Sequence, residues 1–91
     1  MDLYIAQRSD QPKLLKVAAS DNAYVSCGML QKGHCFNVEP VAIFCGAGDC
    51  VSLVHLAIES QRVAGDWFGV SLKEACDAVC VVLAEELVHA C

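Results

Sequence analysis

Positive charge is scarce in this chain. Six Lys and Arg stand against 11 Asp and Glu among 91 residues, a net charge of −5. The six are scattered at Arg8, Lys13, Lys16, Lys32, Arg62 and Lys73, with no basic stripe. An acidic chain without such a stripe repels phosphate backbones, so nucleic acid is not an expected partner. A long apolar run is missing as well. The longest uninterrupted one, residues 78–84, falls far short of the ~20 residues a membrane span needs, and no membrane contact is expected. Met1-Asp2-Leu3-Tyr4 opens without a basic segment and apolar run, so no secretory leader is expected and the compartment reads as cytoplasmic.

Tight metal-ligand spacing is also absent. Cys45-x4-Cys50-x4-His55, with His34-Cys35 nearby in sequence, invites a zinc reading, but it is not the short-spaced Cys knuckle of a structural zinc site. The Cys count of 7 is odd, which leaves one thiol over in any full bridging scheme. In a reducing compartment these residues behave as small buried hydrophobes. Cys76-x3-Cys80 shares one helical face and reads as packing rather than a redox pair, which usually has two residues between its thiols. No metal and no cofactor is expected.

What is present is apolar content, 56% of the chain with only 19% charged, enough to leave some apolar surface for a partner. The length predicts a single domain over residues 1–91. Leu3-Tyr4-Ile5-Ala6 reads as a strand, Asp10-Gln11-Pro12 as a turn, and residues 14–19 as the returning strand of a hairpin. Ser20-Asp21-Asn22 supplies N-cap chemistry for a helix over about residues 23–31, ending near Gly33. Residues 38–44 form a third, apolar strand, followed by a Gly-rich loop whose Asp49 can cap a helix over about 50–62. Val51, Val54, His55 and Ile58 recur there at i, i+3, i+4 and i+7, the stripe of a helix lying on a core. Ser71 and Glu74 form a capping box that opens a last helix reaching about residue 90. The expected fold is therefore α/β, a small three-stranded, mainly antiparallel sheet with packed helices and a long C-terminal helix. Its organising stretch is Gln61-Arg62-Val63-Ala64-Gly65-Asp66-Trp67-Phe68, where a Gly-containing turn swings two large rings back over the sheet.

The order strand, strand, helix, strand, helix and a Gly-acid-Trp-Phe turn resembles the GIY-YIG nuclease domain, in the branch found in phages and mobile elements. Tyr4-Ile5 is similar to its first motif, Lys16-Val17-Ala18 to its second, and Ser20 through Leu30-Gln31 to its Ser-led helix. His55 and Arg62 through Phe68 are similar to its second helix and closing turn, so the resemblance covers roughly residues 3–70. It implies a phosphate-stabilising Arg eight residues after the second-motif Gly and a metal-holding Glu four residues before the His. Those positions are Ser26 and Val51 here, and the motif Gly is Ala18. Phosphodiester hydrolysis needs a carboxylate on a divalent metal and a cation for the developing charge, and valine supplies neither. Tyr4, Lys16 and His55 are accordingly expected as vestigial positions, Tyr4 packed on the sheet and His55 half-buried in the core.

The expected function is non-catalytic protein binding on a degenerate scaffold, as in small phage or mobile-element inhibitors of host defence or nucleic-acid-processing complexes, an anti-CRISPR protein being one example. Glu74, Asp77, Glu85 and Glu86 give the last helix an acidic surface that can mimic phosphate toward a basic partner. The two competing classes are a divergent nuclease with Asp49 or Glu59 on the metal, and a homodimer or assembly subunit joined through the C-terminal helix. The second competing class follows from the run at residues 78–84, which covers every direction around a helix axis. The chain is expected to self-associate there as a symmetric dimer, with Cys80, Val81, Val82 and Ala84 as the interface.

Overall fold

The computed structural model describes residues 1–11, 13–32 and 37–90, the side chains of 86–90 excepted. Its strands are β1 (Asp2–Arg8), β2 (Leu15–Ser20), β3 (Val38–Phe44), β4 (Arg62–Ala64) and β5 (Trp67–Phe68). Its helices are α1 (Ala23–Gln31), α2 (Val51–Ala57) and α3 (Leu72–Ala90). The fold is α/β, and the five strands form one antiparallel sheet in the order β3-β1-β2-β5-β4.

β1 lies between β2 and β3, and its run Leu3-Tyr4-Ile5-Ala6 is buried on both faces. An apolar run without alternation suits a strand covered from both sides. Leu3 and Ile5 join Leu15, Val17 and Phe68 in a core closed by Val54, Ile58, Ala75, Val79 and Val82 of the following helices. Tyr4 and Ala6 join Ala18 in a smaller core closed by Ala23 and Cys27 of α1. α1 starts where Asn22 caps it, its Oδ1 accepting from the amides of Tyr24 (3.1 Å) and Val25 (3.2 Å). α3 starts at Ser71, whose Oγ accepts from the Glu74 amide (3.1 Å), one arm of the capping box.

Five expectations are corrected. The sheet has five strands, not three, because the organising stretch is itself a hairpin. Gly65, at φ +55°, turns β4 into β5, and β5 pairs with β2 at Leu15↔Phe68 and Lys16↔Trp67. Successive strand residues point to opposite faces, so the two rings part company instead of folding back together. Phe68 is fully buried in the first core, and Trp67 rests half-buried against the second.

The second helix is also shorter than expected, ending at Ala57 with a 3-10 turn at Glu59–Gln61. The Gln61 carbonyl is taken by the Gly69 amide (2.8 Å), which draws the chain out of the helical ladder and into the hairpin. Its apolar stripe stands, with Val54 and Ile58 buried. Asp49 caps nothing, since it sits inside a 3-10 turn (Gly48–Cys50) and Cys50 occupies the N-cap without a side-chain bond.

The last correction divides the apolar run of α3. Ala75, Val79 and Val82, at i, i+4 and i+7, face the domain's own core, with Val82 only 5% exposed. Val82 is thus removed from the expected interface by its own packing. Cys80, Val81 and Ala84 lie exposed on the outer side.

The packing predicts an asymmetry between the adjacent aromatics. Phe68→Ala should cost about 3–5 kcal/mol, the range for a buried ring that leaves a cavity, and Trp67→Ala about half of that. Urea unfolding of the two variants measures both, and equal losses would contradict the opposite-face placement.

Candidate functional site

The polar residues that the sequence singles out gather at the open end of β5. Beyond Trp67 the chain turns away, and the Val17 amide of β2 donates instead to the Asp66 carbonyl (3.0 Å). This holds the Asp66 side chain beside the sheet. One carboxylate oxygen lies 3.2 Å from Lys16 Nζ and the other 4.0 Å from His55 Nε2. Lys16 projects on the α1 side, as its register partner Ala6 does, while His55 arrives from α2 on the other side.

His55 Nε2 lies 2.7 Å from the Val17 carbonyl oxygen. A carbonyl only accepts, so this nitrogen carries the proton and donates it there. The imidazole also tilts against Phe68, with centroids 5.0 Å apart and planes at 49°. It is a partly buried core histidine whose Nε2 is engaged. Lys16 Nζ sits 5.5 Å from the centre of the Trp67 ring, and the Arg8 guanidinium 5.8 Å, both within cation–π range. Arg8 is further held by the two carboxylate oxygens of Asp10 (2.9 and 2.7 Å), which keep the Asp10 carboxyl below its ordinary range.

Tyr4 and Cys27 complete the cluster from the α1 side. Burial pushes the Tyr4 phenol up, and the negative charges that Cys27 and Asp66 can carry push it further. Burial likewise pushes the Cys27 thiol up, with Lys16 partly offsetting it. Both stay protonated near neutral pH, so neither is an activated nucleophile. Lys16 and His55 thus flank Asp66, which the sequence offered only as the acid of the Gly-acid-Trp-Phe turn, while Tyr4 packs in the smaller core. No local signal marks that acid as a meeting point, because Asp66 meets Lys16 across 50 residues of chain.

The other positions have their own engagements. Ser26 hydrogen-bonds the Ser20 hydroxyl, and Val51 packs partly buried against the larger core. Glu59 pairs with Arg62 (2.8 Å) and Asp49 is exposed. Among the described residues no group of three or more His, Cys, Asp or Glu converges as a metal cage. Cys45 is exposed and Cys50 packs against the larger core, while His34 and Cys35 lie outside the described residues. Cys27, Cys45, Cys50, Cys76 and Cys80 are free thiols, and burial followed by the charges of Cys80 and Asp77 pushes Cys76 up. Glu74, Asp77 and Glu85 are exposed on α3, Asp77 paired with Lys73 (3.4 Å), and the Glu86 side chain lies outside the described set. No helix among the described residues is long and apolar enough to cross a membrane.

The chain matches no protein-family profile, no curated protein and no solved structure among those it was compared with.

The shifted thiol and phenol set a pH dependence. Both groups are raised above their ordinary values of 9.0 and 10.0, so the fold favours their protonated forms. That stabilisation is complete below the ordinary values and is lost as pH rises through the raised ones. Urea unfolding should change little between pH ~7 and ~8.5 and weaken above that range. The double variant Tyr4→Phe/Cys27→Ala should show a shallower alkaline loss than wild type.

Proposed function

We propose that this chain is a non-catalytic protein-binding module on a degenerate GIY-YIG scaffold. It acts in the cytoplasm as a small phage or mobile-element inhibitor of a host defence or nucleic-acid-processing complex, for which an anti-CRISPR protein is the concrete case. The observation that carries the reading is Val51. Where the resemblance puts a metal-holding carboxylate, an apolar side chain packs against the core. A charge there would bear the cost of leaving water without a partner.

Three further features support it. The order β1-β2-α1-β3-α2 is the order on which the resemblance rests. Ser26 stands where a cation would neutralise phosphate, and its hydroxyl is bonded to Ser20. Lys16 and His55, the vestigial polar positions, are engaged by Asp66 and the Val17 carbonyl. Binding falls to the exposed α3 acids Glu74, Asp77 and Glu85, with Glu86 next in sequence, which meet a basic partner surface.

The test has two arms. Purified protein should cleave neither DNA nor RNA with Mg²⁺ or Mn²⁺. A partner captured from the native cell should be lost by the triple change Glu74→Lys, Asp77→Lys and Glu85→Lys, with folding retained. Metal-dependent nicking that disappears in Tyr4→Phe overturns the reading.

A homodimer through α3 is the second reading, favoured by Val81, which is 57% exposed between Cys80 and Ala84 on the outer side. Small neighbours let two helices approach closely, and twofold pairing is the commonest way one patch satisfies itself. Wild type should sediment at twice the 9.7 kDa chain mass, and Val81→Glu as a folded monomer. Val82→Glu should unfold the domain instead. A monomeric wild type at micromolar concentration removes this reading.

A further inference from the structure

The connection between β1 and β2 sets one lysine between two apolar grooves. The first, of about 440 Å³, runs from Lys13 to Leu14 and Val63. The second, of about 400 Å³, runs from Lys13 over Leu15 and Val70 to Leu72. Leu15 and Val70 are buried in the floor, whereas Val63 is 64% and Leu72 41% exposed on the walls. Among the described residues no Asp or Glu lines either groove.

Positive charge elsewhere in the chain is mostly engaged. Arg8, Lys16, Arg62 and Lys73 each pair with a carboxylate, at Asp10, Asp66, Glu59 and Asp77. Lys13 has no such partner among the described residues. A wholly apolar partner laid over both grooves would bury its ammonium without a counter-charge, which costs more than the apolar contact returns. A basic partner would be repelled. A nucleic acid would meet an otherwise acidic surface on a chain of net charge −5. Charge complementarity therefore selects a carboxylate, and the two apolar walls select hydrophobic groups on both sides of it.

We propose that the groove pair docks an extended segment of a partner protein with the pattern apolar-x-acid-x-apolar. The acid sits on Lys13 and the two apolar side chains fill the grooves. Alternate residues of an extended chain point to one side, so this spacing presents all three groups to the same surface. The apolar flanks keep water from the ion pair, where an exposed pair alone would contribute little. The inference rests on the binding-module reading, but it concerns a surface apart from the acidic helix face. Its test uses the isolated chain, so failure here and failure of the partner capture are separate results.

The experiment titrates ¹⁵N-labelled protein with the peptide acetyl-Leu-Ser-Glu-Ser-Leu-amide and its Gln-for-Glu counterpart. The expected result is amide shifts confined to the neighbourhood of residues 13–15, 63 and 69–72. The Gln peptide and the Lys13→Glu protein should each bind at least tenfold more weakly, and Lys13→Arg should bind like wild type. Lys13 is exposed, so neither variant should disturb the fold. The proposal is overturned by equal binding of the two peptides, by shifts centred elsewhere, or by no shift at millimolar peptide. Binding of octanoate without binding of the Glu peptide also overturns it, since that result assigns the groove to a free acyl chain.

Discussion

The pairing of β5 with β2 is the constraint on which the rest of this domain depends. It involves only Leu15↔Phe68 and Lys16↔Trp67, yet it decides the side of the sheet on which each aromatic ring lands. Phe68 goes to the larger core, where α2 and α3 close over it, and Trp67 goes to the α1 side beneath two cationic side chains. A slip of one residue would exchange the two rings and place the indole where Phe68 now fits. The same pairing ends at Asp66, whose carbonyl receives the Val17 amide and whose carboxylate lies between Lys16 and His55. Sheet edge, core and polar cluster thus share one short hydrogen-bonded ladder.

The polar cluster is occupied with itself. Lys16 faces a carboxylate, His55 donates to a backbone carbonyl, and burial keeps Tyr4 and Cys27 protonated. Raised phenol and thiol pKa values are the opposite of what activates a nucleophile, and Lys16 is held by its carboxylate partner. An arrangement that cancels its own charges contributes by tying the β4–β5 turn to β2 and α2. The acids of α3 and the Lys13 grooves lie apart from it, on the outer surface.

Much of the fold was legible because local chemistry and tertiary packing agree. Asn22 marks the start of α1 and Ser71 that of α3, since a side-chain acceptor satisfies amides that no helix can pair. The Val54–Ile58 stripe survives because its period is that of a helix. The hairpin β4–β5 was not legible. Arg62-Val63-Ala64 has no alternation and all three residues are exposed, so no burial pattern distinguishes this edge strand from helix or loop. Of the candidate site, Tyr4, Lys16 and His55 could be singled out in the sequence. Their meeting point could not, because Asp66 lies 50 residues from Lys16 and nothing local records that distance being closed.

By itself the sequence determined the order of the first five elements, the starts of α1 and α3 and the position of the turn at Gly65, all of which rest on side chains acting within a few residues. Only the tertiary structure decided which side of each apolar segment is spent inward. In α3, neighbouring valines have opposite fates, Val82 sealed in the core and Val81 open to solvent. A run apolar in every direction carries no record of where its sheet lies. That information exists only once β5 has joined β2 and α3 has closed over the face that Phe68 fills.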